Sequence, residues 1–141
     1  MASGQTTNYD IPYPLPTDPV DVASDMQGLA ERVDTLINTV PPTIIENAQT
    51  SSYNLQSTDN GKFINITTGG VTVNVGVFEA GQNAVIYNNS ATSQTITQGA
   101  SVTLRFAGTT TTGNRTLASY GVATILCVST NVYVIAGTGL T

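Results

Sequence analysis

The chain has 141 residues, no histidine, one cysteine and nine carboxylates against four basic side chains, for a net charge of −5. That length allows one ordinary domain or a smaller one with appendages. Without histidine the usual general base, the Ser-His-Asp arrangement and the commonest metal ligand are missing. One cysteine supplies neither a disulfide framework nor a zinc cluster, and four scattered basic residues cannot neutralise a phosphate backbone. We therefore expect no enzyme activity, no cofactor, no metal and no nucleic-acid partner.

Residues 1–17 read as an extended arm. Prolines at positions 12, 14, 16 and 19 fix φ near −65° and push each preceding residue towards extended geometry. Tyr9, Ile11, Tyr13 and Leu15 alternate with Asp10, Pro12, Pro14 and Pro16, a pattern that suits a partner's groove. At roughly 3.1 Å per residue such an arm reaches about 50 Å. The alternative is a solvated N-terminal tail.

Residues 18–40 read as a short coiled-coil helix. Asp18 is placed to cap, Pro19 suits the first helical position, and Asp21 favours the positive end of the dipole. Val22, Met26, Leu29, Val33, Leu36 and Val40 follow at alternating steps of four and three, with Val22, Leu29 and Leu36 at d and Met26, Val33 and Val40 at a. Ala23, Ala30 and Ile37 at e widen the stripe, as suits a bundle of more than two strands, whereas β-branched a with Leu at d favours a parallel dimer. Pro41 and Pro42 end the helix after about 33 Å. The competing reading is an amphipathic helix packed on its own domain. Gly28 and the short length make the seam marginal alone, so flanking contacts are expected to support it.

Charge divides the chain. Residues 1–46 hold seven of the nine carboxylates and Arg32, while residues 47–141 carry Asp59 and Glu79 against Lys62, Arg105 and Arg115. The N-terminus lacks a basic region followed by an apolar core, and no apolar stretch is long enough to span a membrane, so neither a targeting signal nor a membrane partner is expected.

After a linker over 41–51, the periodicity from 52 to 141 becomes two. Val71, Val73, Val75 and Val77 alternate with Thr72, Asn74 and Gly76. Strands are predicted at 53–55, 62–67, 71–77, 83–87, 94–97, 102–106, 116–120, 122–128 and 132–136. Asp59-Asn60-Gly61, Gly69-Gly70, Asn88-Asn89-Ser90, the stretch 108–114 and Thr130-Asn131 separate most of them. The expected fold class is mostly β, a small antiparallel sandwich or barrel-like domain. The run 122–128 is apolar on both faces, which predicts a central strand or a contact with another subunit. Cys127 lies inside it and reads as a buried small hydrophobe.

Several of these segments together resemble the β domains of bacteriophage fibre and virion appendage proteins. They are Tyr53-Asn54-Leu55, Asp59-Asn60-Gly61-Lys62, Ala84-Val85-Ile86-Tyr87-Asn88-Asn89, Ile96 with Gly99, Ser101-Val102-Thr103-Leu104, Gly121-Val122-Ala123-Thr124 and Tyr133-Val134-Ile135-Ala136-Gly137. The arm and helix look similar to the attachment ends of such proteins. The resemblance implies a homotrimeric structural protein located in the virion. Its arm, through Tyr9, Ile11, Pro12, Tyr13, Pro14, Leu15 and Pro16, would anchor to capsid, collar or tail. Val22, Met26, Leu29, Val33, Leu36 and Val40 would join the copies. Adsorption fibres commonly add a long shaft or further tip domains, and this chain ends after one β domain. A decoration protein cementing the shell is the alternative, and a tip that binds a host surface glycan is the second.

The remaining site candidates favour structural roles. Asp59 and Glu79 are the only carboxylates of the predicted β domain and lie beside turns, so Asp59 is expected to serve its turn and Glu79 to be solvated. Gly69-Gly70 and Gly137-Thr138-Gly139 lack the Lys-Ser/Thr of a phosphate loop and read as turns. Tyr87, Tyr120 and Tyr133 suit sugar-binding rings less well than core or interface positions. The loop 108–114 is expected to be flexible, either a tip or a connector. Asn65-Ile66-Thr67, Asn88-Asn89-Ser90 and Asn114-Arg115-Thr116 match the glycosylation sequon, as a Thr- and Asn-rich chain does by chance.

Overall fold

The first residues of the apolar alternation, Ile64, Ile66, Val71 and Val73, are shielded from solvent almost completely, as are Ala84, Ile86 and Ile96 on the strands that follow. The computed structural model describes residues 4–5, 12–13, 22–39 and 43–141. They belong to two compact units, Met1–Thr43 and Ile44–Thr141.

In the first unit, β1 (Gly4–Gln5) pairs antiparallel with β2 (Pro12–Tyr13), and α1 spans Val22–Thr39. The rest of the predicted arm lies outside the described residues. Proline is compatible with this pairing because β2 uses a single edge. The helix ends just before the two prolines that deny it further backbone donors. Its predicted start at 18–21 lies outside the described residues.

The second unit is one nine-stranded sheet, mostly β in character and nearly closed in a barrel-like manner. Its strands are β3 (Glu46–Gln49), β4 (Tyr53–Asn54), β5 (Phe63–Ile66), β6 (Val71–Val73), β7 (Asn83–Asn88), β8 (Gln94–Gln98), β9 (Thr103–Phe106), β10 (Arg115–Ser129) and β11 (Val132–Leu140). The chain lays down two parallel ladders in alternation. β3, β5 and β7 form one, with Glu46 opposite Phe63 and Phe63 opposite Val85. β4, β6 and β8 form the other, with Tyr53 opposite Val71 and Val71 opposite Ile96.

β10 then runs back antiparallel across both, pairing Arg115–Leu117 with β8 and Val122–Leu126 with β7. β11 pairs antiparallel with β10, and β9 lies parallel to β11. The predicted all-antiparallel sheet is therefore corrected to a mixed one. The short turns at Gly69-Gly70 and Asn88-Asn89-Ser90 do not close hairpins. They carry the chain from one ladder to the other, so each strand meets its partner two strands later. Gly70, at φ +71°, is required there: a Cβ would stand 2.2 Å from the Thr95 carbonyl oxygen.

Predicted and observed strands agree closely except at four places, one being β11, which runs on through the predicted Gly137-Thr138-Gly139 turn to Leu140. β3 falls in the predicted linker. The run 71–77 stops at Val73, because Gly76 turns the chain at φ +70° and its N–H donates to Asn131 Oδ1. The two strands 116–120 and 122–128 are one, bent by an irregularity between Leu117 and Val122 where Tyr120 adopts φ +56°. The interior is filled by Ile64, Ile66, Ala84, Ile86, Ile96, Leu104, Leu117, Ile125, Tyr133 and Ile135, each fully buried. Each large aliphatic among them contributes about 2–3 kcal/mol by leaving water.

Candidate functional site: the uncovered apolar surfaces

The heptad a positions of α1 that the structure describes face solvent. Met26 and Val33 are 61% and 39% exposed, Ile37 at the flanking position is 66% exposed, and Leu29 and Leu36 are half-buried. Gln27 Nε2 donates to Glu31 Oε1 at 2.7 Å one turn on, and the Thr35 hydroxyl donates to the Glu31 carbonyl at 2.8 Å. The side chains of Val22 and Val40 lie outside the described residues. Of the residues expected to anchor the chain, Pro12 and Tyr13 form β2, whereas Tyr9, Ile11, Pro14, Leu15 and Pro16 lie outside the described residues.

The β unit exposes a second apolar surface. Over 122–126, β10 is paired on both edges, which bears out the central-strand reading of 122–128. Ala123, Ile125 and Cys127 point into the core, while Val122, Leu126 and Val128 point out and are 41%, 40% and 45% exposed. Register carries this outer face across the sheet: Val122 lies opposite Tyr87, which lies opposite Asn65, and Leu126 lies opposite Val134, which lies opposite Arg105. On the other ladder the outward residues are Thr72, Thr95, Thr97 and Thr116.

The carboxylate candidates are structural. Asp59 is buried on a short 3-10 turn (Ser57–Asp59) and accepts from three donors: Asn47 Nδ2 at 2.8 Å, the Tyr53 hydroxyl at 2.7 Å and the Gln56 backbone N–H at 2.9 Å. It therefore ties β3 and β4 to its turn, as charge-assisted bonds do well. Burial, and the Asp59 carboxylate it donates to, push the Tyr53 phenol above its ordinary value. Glu79 lies exposed in a turn, where its N–H donates to Gln82 Oε1.

Cys127 is buried with Sγ directed at the Phe78 and Ser129 carbonyls, both at 3.3 Å, and burial pushes its thiol up. Tyr133 is a core residue, Tyr87 is half-buried on the outer face, and Tyr120 is exposed at the bend. Among the described residues no group of three or more His, Cys, Asp or Glu is placed to hold a metal ion, and no helix is long and apolar enough to cross a membrane.

Two features escaped sequence reasoning. Asn88 is fully buried, and its Nδ2 serves the carbonyls of Thr92, Leu117 and Ala118 while Oδ1 accepts from the Ser90 hydroxyl. The Asn-Asn-Ser run signalled a turn, but nothing in it told which Asn turns inward to bridge β7, its loop and β10. The loop 108–114 is also pinned rather than free: Thr111 O accepts from Phe106 N–H, the Thr109 hydroxyl donates to the Phe106 carbonyl, and Gly113 N–H donates to the Leu104 carbonyl. Arg115, nine-tenths buried, packs its guanidinium 5.7 Å from the Phe106 ring centroid beside this loop.

Comparison of the chain with protein-family models, curated proteins and solved structures returns no match.

Proposed function

We propose that the chain is a structural component of a bacteriophage virion, a short homotrimeric fibre or spike whose helices join the copies and whose arm fixes the assembly to capsid, collar or tail. The observation that carries the association is the apolar heptad seam of α1, with Met26 and Val33 open to solvent in the single chain. An 18-residue helix with that much uncovered apolar surface is marginal in water and gains stability by burying the seam against copies of itself.

The virion assignment rests on the resemblance of the β segments and of the arm-helix order. A β unit with three carboxylates against three basic residues also suits fibre material, where subunit contacts replace a charged surface. Light scattering of the full chain at micromolar concentration should give three copies per particle, and a monomer there refutes the reading. Chains lacking residues 1–17 should still associate but fail to enter virions; particles that carry the truncated chain refute the anchoring role.

A further inference from the structure

The outer side of the half-sheet β3-β5-β7-β10-β11-β9 carries Phe63, Val85, Tyr87, Val122, Leu126 and Val134 around the uncharged Thr124 and Asn65, and is charged only at its rims. These side chains are surplus to the core, because the opposite side of every one of these strands except β3 already buries its own residues, from Ile64 and Ile86 to Ile125 and Leu104. Nor is an apolar outside general to this unit, since the second ladder presents threonines. A mostly apolar, part-exposed sheet face of this kind marks an interaction surface.

The rims indicate what covers it. Glu46 stands exposed on β3 at one edge and Arg105 exposed on β9 at the other, five strand spacings or about 24 Å apart along the sheet. Glu46 accepts from Asn65 Nδ2, which aims its carboxylate along the outer face. Opposite charges at the two ends of a neutral apolar face are complementary to the same face on another copy. Turning three such faces to a common axis brings the carboxylate rim of each copy to the guanidinium rim of the next and brings no like-charged pair together. We propose that this face is a contact between copies of this chain, with Glu46 of one copy beside Arg105 of the next. The inference rests on the self-association proposed above. Copies joined through α1 hold their β units at high mutual concentration, so a face too weak to associate by itself is engaged.

A mixed disulfide tests it. Full-length Glu46→Cys and Arg105→Cys chains are co-expressed and oxidised, so that any bond between the two introduced cysteines joins different molecules; Cys127 is buried in both. We expect a covalent dimer in the mixture at least tenfold above the yield from either variant alone. Adding Leu126→Lys to both chains should abolish it with the circular dichroism unchanged, because Leu126 is part-exposed and outside the core. If light scattering finds an oligomer but the mixture yields no more disulfide than the single variants, the face proposal is overturned and the helix reading stands. If the chain is a monomer, the association reading itself is overturned. A mixed dimer that survives Leu126→Lys also overturns the face.

Discussion

The two units of this chain solve the problem of stability in opposite ways. Residues 44–141 enclose their own core: Ile64, Ile86, Ile125 and Ile135 are fully buried, and the polar groups inside, Asp59 and Asn88, are satisfied by side chains and carbonyls of neighbouring elements. Residues 22–39 expose Met26, Val33 and Ile37, and bury Leu29 and Leu36 only in part. Charge separates the units in the same way. Six carboxylates and one arginine fall before residue 44, against three of each sign after it. The neutral core is complete within the single chain, whereas the exposed side chains of the acidic helix are what the proposed association would cover.

That contrast can be broken at several points. The largest effect is expected from Ile125→Ala, which opens a cavity beneath β10 and should cost about 3–4 kcal/mol in urea unfolding, independent of protein concentration. If that cost varied with concentration, the core would not belong to the single chain. Leu29→Asp combined with Leu36→Asp should dissociate the assembly in sedimentation while the β unit keeps its spectrum, since charges cannot enter a closed apolar seam. An unchanged oligomer would place the helix elsewhere.

A smaller effect, about 1–2 kcal/mol, is expected from Tyr53→Phe, which takes one donor from the buried Asp59 carboxylate. The same residue sets a pH dependence. Its phenol is raised above the ordinary value of 10.0, so its contribution is fully present below pH 10 and is lost as pH rises through the folded value. Unfolding midpoints should therefore fall above pH 10, and less steeply in Tyr53→Phe, though Tyr133, raised by burial, adds to the fall in both. Equal alkaline slopes would remove Tyr53 from the account. The smallest effect is expected at Thr95→Ala on the outward face of the second ladder, within about 0.5 kcal/mol and without change in oligomeric state. A loss of association there would move the contact to the wrong face.

Much of this was legible in the residues. Alternation located every strand from β4 to β11, because an outward polar and an inward apolar residue must take turns wherever one face is buried. The heptad steps located α1, and the two prolines its end. β3 was missed because its inward residues are Asn47 and Gln49, which are turned in by hydrogen bonds to Asp59, Tyr53 and each other rather than by apolar burial. Within 122–128 the sequence showed two apolar faces but not which was the inner one, and Phe63, Val85 and Val134 carried no mark of being its neighbours.

By itself the sequence determined the division into an acidic heptad-bearing segment and a neutral β segment, together with the inward parity of most strands, because these depend on residue type and local spacing. Tertiary structure decided the rest. Pairing partners in a sheet are chosen by contacts distant in sequence, so the parallel ladders, the single bent β10 and the inward turn of Asn88 are not written in any one segment. Gly137 shows the limit: read locally it is part of a glycine turn, yet in the fold it sits in β11 where a Cβ would lie 2.0 Å from the Val122 carbonyl oxygen. Only the approach of β10 makes glycine necessary there.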